Sequence, residues 1–113
     1  MAIRTINLEE GMPTVEAARM RMNQGLRTAK MGGARLVKLI HGYGSSGRGG
    51  AIRRDVHAQL ALKCRRGEIG GFVPGEDFSA FDETSRRMVD LDPSIARDID
   101  YGRQNHGITM VLL

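Results

Sequence analysis

Histidine, glycine and arginine crowd one short stretch of the sequence. Residues 41–54 read His-Gly-Tyr-Gly-Ser-Ser-Gly-Arg-Gly-Gly-Ala-Ile-Arg-Arg. The nine residues after His41 include five glycines, so the backbone there can turn several N–H groups toward one point, and a following helix adds partial positive charge at its start. Arg48, Arg53 and Arg54 add full charges. The chemistry this pattern suits is the holding of a phosphate, through Gly42, Tyr43, Gly44, Gly47, Arg48, Gly49, Arg53 and Arg54. Tyr43 is the one aromatic in the loop, placed either to stack on a base or to cover the sheet edge. His41 opens the loop with an imidazole that can change charge near neutral pH.

Other motifs at the same place fit less well. Gly42-x-Gly44-x-x-Gly47 has the spacing of a dinucleotide fingerprint. Against that reading, the chain is short of a full nucleotide-binding domain, and Glu68 precedes the next strand rather than ending it. A phosphate loop of the Walker type is excluded because no Lys-Ser or Lys-Thr follows the glycines. A small phosphorylated ligand in the loop is a weaker alternative. His57 reads as a surface residue one turn beyond Arg53, and His106 as part of a turn before Gly107. Three histidines so far apart offer no zinc-ligand spacing, so no metal site is expected. Cys64 lies on an apolar stripe and reads as a small buried hydrophobe.

The elements that must position these groups follow from hydrophobic period. Ile3 to Leu8 alternates as a first strand, with Ile6 and Leu8 on one face, and runs into Glu9-Glu10-Gly11. After Pro13, the residues Val15, Ala18, Met22, Leu26 and Ala29 make one helical stripe, stopped at Met31-Gly32-Gly33. Met20 and Met22 are expected to fill the core. Leu36 to Ile40 is a buried strand ending at His41, and Ile52, Val56 and Leu60 mark the helix after the loop. Ile69 to Val73 is a short strand closed by Pro74-Gly75. A helix is expected over 79–89 with Phe81, Thr84 and Met88 inward, then a short one capped by Asp92-Pro93 with Ile95 and Ile99 inward. Ile108 to Leu113 is apolar on both faces and therefore interior to a sheet. The order implies one α/β domain over 1–113, a two-layer sandwich on a roughly four-stranded mixed sheet. A strand–helix–strand crossover leaves the first two strands parallel. Their carboxyl ends then share an edge, where Glu9 or Glu10 meets His41.

Charge is unevenly spread. The net charge is +4, but residues 76–100 hold eight acids against three arginines, a balance of −5 that leaves +9 on the remainder. A basic body with an acidic appendage suits a polyanionic partner. The absence of a long apolar run excludes a membrane span, no signal peptide is visible, and one cysteine makes a cytoplasmic location the default.

The run His41-Gly42-Tyr43-Gly44, preceded by Leu36–Ile40 and followed by Ala51-Ile52-Arg53, resembles the Smr (small MutS-related) domain family. Thr14-Val15-Glu16-Ala17 is similar to that family's first-helix opening, and Gly107-Ile108-Thr109-Met110-Val111-Leu112 to its closing strand. The resemblance covers roughly 3–73 and 105–113 and makes 79–103 an acidic helical insertion. It implies a fold like the C-terminal domain of translation initiation factor three, nucleic-acid binding and, in several members, cleavage of DNA or RNA. The family's first motif, Leu-Asp-x-His-Gly, is here Ile6-Asn7-Leu8-Glu9-Glu10-Gly11, so the acid has become an amide and the histidine a glutamate. If the protein cleaves, the resemblance casts His41 with Glu9 or Glu10 as general acid and base. RNA cleavage would then need no cofactor, and DNA cleavage would call on magnesium. Arg4 and Lys38 are further phosphate contacts on this reading. The competing expectation is a non-catalytic module associated with the ribosome or with repair proteins, its acidic segment docking a basic partner.

Overall fold

The computed structural model describes residues 3–43 and 49–113. Four strands, β1 (Arg4–Asn7), β2 (Leu36–Ile40), β3 (Gly71–Pro74) and β4 (Ile108–Leu112), form a sheet of order β1-β2-β4-β3. β1 lies parallel to β2, with Asn7 opposite Ile40, and β4 runs antiparallel to both β2 and β3. The last strand thus fills the slot between β2 and β3, which is why all five of its residues are buried. The mixed four-stranded α/β sheet expected from the sequence is the one observed.

Helices α1 (Val15–Met31) and α2 (Gly49–Arg65) cover one face. Thr14 caps α1 by accepting from the Ala17 N–H, and Ala18, Met22, Leu26 and Ala29 point inward as their spacing requires. From α2 come Ile52, Val56 and Leu60, which meet Leu8, Val37, Leu39 and Val111 of the sheet. Cys64 is half-buried against this core, and burial raises its thiol pKa. A bidentate ion pair from Arg19 to Asp55, at 3.0 and 2.7 Å, ties the two helices together.

The opposite face carries a second core of Leu36, Val73, Phe78, Met88, Ile95, Ile108, Met110 and Leu112. Its cover is α3 (Glu83–Leu91), flanked by single 3-10 turns at Gly75–Asp77 and Pro93–Arg97. The acidic segment is therefore integral to the fold. Asp82 caps α3 through the Ser85 N–H and Asp92 caps the next turn through the Ser94 N–H. Asp98 and Asp100 take the Lys38 ammonium at 2.7 and 2.6 Å.

Several side chains depart from expectation. α3 starts at Glu83 because Asp82 caps it there, so Phe81 precedes the helix and is 94% exposed. Ile99 lies beyond the 3-10 turn that ends at Arg97, and its four-residue spacing from Ile95 no longer brings it inward. Met20 is 71% exposed, two residues off the stripe that buries Met22. β3 begins at Gly71 rather than Ile69, although Ile69 is still buried against the α1–α2 core. Among the described residues no helix is long and apolar enough to cross a membrane.

Candidate nucleic-acid interface

β2 delivers His41 to the carboxyl edge of the sheet, and alternation along the strand turns its ring toward α2. There the imidazole is fully buried. Its Nδ1 lies 2.6 Å from the Gly42 carbonyl and its Nε2 2.8 Å from the Thr109 hydroxyl. That hydroxyl also lies 2.9 Å from Nε2 of His57. A carbonyl only accepts, so Nδ1 of the neutral His41 ring carries the proton and Nε2 must accept one. The Thr109 O–H therefore donates to His41, and the Thr109 oxygen accepts from the Nε2–H of His57. One direction satisfies the whole chain: His57 to Thr109 to His41 to Gly42.

Both imidazoles are held below their ordinary pKa, chiefly by burial. For His41 the Gly42 carbonyl and Glu76 pull the other way, while His57 and Arg53 add to the lowering. Arg53 also lowers His57 and Glu76 opposes it. The rings meet edge to face, 5.8 Å between centroids, and His57 rests 6.0 Å from Phe72. The expectation that His57 is a surface residue is corrected: the position between Val56 and Leu60 on α2 faces the sheet edge closely enough to bury half the ring.

The loop start is fixed from β4. The His41 and Gly42 N–H groups both donate to the Gly107 carbonyl, at 2.9 and 3.1 Å. Gly42 has φ +72°, a left-handed conformation that favours glycine. Gly75 is needed for another reason. A Cβ there would stand 1.9 Å from the Asn105 carbonyl, so only glycine lets the turn carrying Glu76 press against the segment before β4. That contact sets Glu76 against Arg53, with which it forms an ion pair, and 3.6 Å from Nδ1 of His106. All three histidines thus gather around one edge. Even so, no group of three or more His, Cys, Asp or Glu among the described residues is placed to hold a metal.

The other expected contacts divide. Tyr43 is 65% exposed beside Gly107, and Arg54 is exposed with no ion pair among the described residues. Gly49 opens α2, whose first turn has no acid. Gly44, Gly47 and Arg48 lie outside the described residues. Arg53 is half-buried and committed to Glu76, although its Nε has no hydrogen-bond partner among the described residues. Arg4 is exposed at the far end of the sheet, by Gly32. Lys38 as a phosphate contact is corrected, because its ammonium is buried on the α3 face between two aspartates.

The parallel pairing does bring the chain after β1 beside β2, and the Leu8 N–H reaches the Ile40 carbonyl at 2.7 Å. The side chains of Glu9 and Glu10 are exposed, however, and neither is bonded to His41, whose two nitrogens are engaged elsewhere. Asn7 shapes this turn: its Oδ1 accepts from the N–H groups of Glu9 and Glu10. Arg21 braces it from α1 by donating to the Asn7 and Glu10 carbonyls. Sequence reasoning missed Thr109, His57 and Glu76. Thr109 alone carried a signal, as the only polar residue in an interior strand, where a hydroxyl needs a partner.

Compared with models of protein families, residues 10–77 match the Smr domain. The chain belongs to the Smr domain family. Smr domains in general interact with nucleic acid. The match starts after β1, takes in α1, β2, α2, β3 and the turn with Glu76, and stops before α3. Among solved structures, the Smr domain of Thermus thermophilus MutS2 superposes with a TM-score of 0.57 at 20% identity, over 100% of this chain and 98% of that one. This likeness establishes the shared Smr fold. No curated protein matches the chain.

Proposed function

We propose that this Smr domain binds nucleic acid through the carboxyl edge of β1 and β2 and the amino end of α2. The observation that carries the reading is the start of α2. Gly49 opens it, its first turn contains no acid, and the first N–H groups of a helix have no partner within the helix itself; Tyr43, exposed, follows His41 and Gly42 at the sheet edge. Orphan N–H groups at a helix start accept anions such as phosphate. Arg54 adds an exposed cation from the same helix that forms no ion pair among the described residues, and Tyr43 offers a ring on which a base can stack. The internally paired Asn7 and buried His41 favour binding over cleavage, with His41 holding the loop start rather than touching phosphate.

The test is one assay with two readouts. Labelled single- and double-stranded DNA and RNA are incubated with wild type, Arg54→Glu and His41→Ala, with magnesium or a chelator, and scored for retardation and for cleavage. Retardation that weakens in Arg54→Glu, without cleavage, is expected. No retardation of any probe at low salt overturns the reading. Cleavage by wild type that is lost in a folded His41→Ala variant would instead restore His41 to the chemistry, with Glu9 or Glu10 as its partner.

A further inference from the structure

Exposed acids Glu9 and Glu10 stand at the His41 edge, whereas the cations that the fold leaves over gather at the other end of the α1–α2 layer. Lys30 closes α1 with Arg27 one turn earlier, and Lys63 and Arg65 close α2, followed by Arg66. Arg4 adds a sixth cation from the start of β1, beside Gly32. Contacts to Glu68 show that the two helix ends meet. Its carbonyl lies 3.5 Å from the Lys30 ammonium, and its carboxylate lies 3.8 Å from both Lys63 and Arg66. Glu68 and the carboxylate of Leu113 are the acids set against these six cations. Arg4, Arg27 and Arg65 are exposed and form no ion pair among the described residues. Arg35 turns to the other layer, where it shares a surface with Arg87 and Asp90. Like charges gathered at one end repel one another, and a polyanion laid against them relieves that repulsion.

The helix between the two ends offers an unbroken path. Arg54, Ala58, Ala61 and Arg65, at spacings of four, three and four, share one stripe of α2, and all but the half-buried Ala61 are exposed. Asp55 is the only acid in this helix, and Arg19 neutralises it at 2.7 Å. From Arg54 to Arg65 the rise is about 16 Å at 1.5 Å per residue. Phosphates along one strand of a duplex are about 3.4 Å apart, so this span takes about five base pairs.

We infer that one nucleic-acid backbone crosses the outer face of α2, from Arg54 at the carboxyl edge to a second phosphate contact made by Arg65 and Arg27 at the far end of the layer. The inference rests on the nucleic-acid reading and adds the course of the strand. No aromatic lies on the stripe, so the far contact is with phosphates alone and carries no base information.

Fluorescence anisotropy of a labelled duplex of about ten base pairs, twice the required span, tests it across a range of salt. One duplex should bind per domain. The double variant Arg27→Ala/Arg65→Ala should flatten the plot of log affinity against log salt by about 1.8, for two lost phosphate contacts. Arg86→Ala/Arg97→Ala removes the same charge from the α3 cover and should leave the slope unchanged. All four side chains are exposed, so urea melts of both variants should match wild type. An unchanged slope in Arg27→Ala/Arg65→Ala overturns the inference. So does equal flattening by the two pairs, which would mean attraction to net charge alone, or two duplexes bound per domain, which would mean separate sites. If only Arg54→Ala flattens the slope, the edge reading stands and this inference fails. If only Arg27→Ala/Arg65→Ala does, the edge reading fails and the far contact stands without it.

Discussion

Thr109 is a single hydroxyl serving two buried imidazoles, and its loss should be felt twice. In Thr109→Val, Nε2 of His41 loses its donor and the Nε2–H of His57 its acceptor. A buried polar group left without a partner costs about 1–3 kcal/mol, so the unfolding free energy should drop by an amount in that range, seen as a lower midpoint in urea. Thr109→Ser keeps the hydroxyl and should recover most of the loss, leaving only the missing methyl. Equal midpoints for valine and wild type would show that the shared hydroxyl contributes nothing. The same chain sets a pH dependence. His41 and His57 are lowered in the folded protein from an ordinary value of 6.5, mainly by burial. Below about pH 7 the unfolded chain therefore binds protons that the folded one refuses. Their contribution is fully present above 6.5 and is lost as the pH falls toward the lowered folded values, with a limiting slope of about 2.7 kcal/mol per pH unit for two groups. Urea melts at pH 7.5 and 5.5 should separate, the more acid one less stable. At this scale the sequence was half legible. His41, Gly42 and Tyr43 stood out because they are contiguous, whereas Thr109 and Glu76 reach the edge only through the strand order β1-β2-β4-β3, which spacing does not encode.

At the scale of elements, the segment 75–101 changes meaning between sequence and structure. Its acids look like an exposed appendage when counted, yet five of the eight are engaged within the fold: Glu76 with Arg53, Asp82 and Asp92 as caps, Asp98 and Asp100 on Lys38. Burial alone would lower the Lys38 pKa, but the hydrogen bonds its ammonium donates to Asp100 and Asp98, with their charges, outweigh it and raise the value. Removing that ammonium leaves two largely buried carboxylates facing each other. Lys38→Ala is accordingly expected to cost about 3 kcal/mol or more, as breaking one side of a buried pair does, and should be read from a denaturant melt. Deletion of 79–103 goes further, because Met88 and Ile95 seal the core on the second face of the sheet. The truncated chain should lose cooperative unfolding and bind an apolar dye; a cooperative melt would mean that the α1–α2 side folds alone. The helices facing the first side of the sheet were legible because long stripes such as Val15 to Ala29 and Ile52 to Leu60 fix both type and face. The second side was less so. Its elements are short, and the caps at Asp82 and Asp92 decide which of Phe81, Ile95 and Ile99 turn inward.

For the molecule as a whole, what matters is where charge remains after the internal pairs are formed. The formal total is +4, but Arg19, Lys38 and Arg53 are spent on Asp55, Asp98, Asp100 and Glu76. The carboxylates left exposed in the acidic segment, Asp77, Glu83 and Asp90, lie on or beside the α3 cover. Exposed Arg54 projects from α2 on the opposite side of the sheet. The α3 cover also exposes Arg86, Arg87 and Arg97, so it is mixed in charge rather than acidic, and any orientation of a bound polyanion must come from Arg54 and α2 rather than from repulsion by the far side. Salt dependence can count those contacts. Each neutralised phosphate steepens the plot of log affinity against log salt by about 0.9 for a duplex and 0.7 for a single strand. Arg54→Ala should therefore flatten the slope by close to one such unit and weaken all sequences alike, since a phosphate contact carries no base information. Glu83→Ala, on the far side, should leave the slope unchanged. If both variants alter it equally, attraction is to net charge alone and the amino end of α2 is not the contact. If neither does, the phosphates are held by other groups of the edge and Arg54 is a bystander.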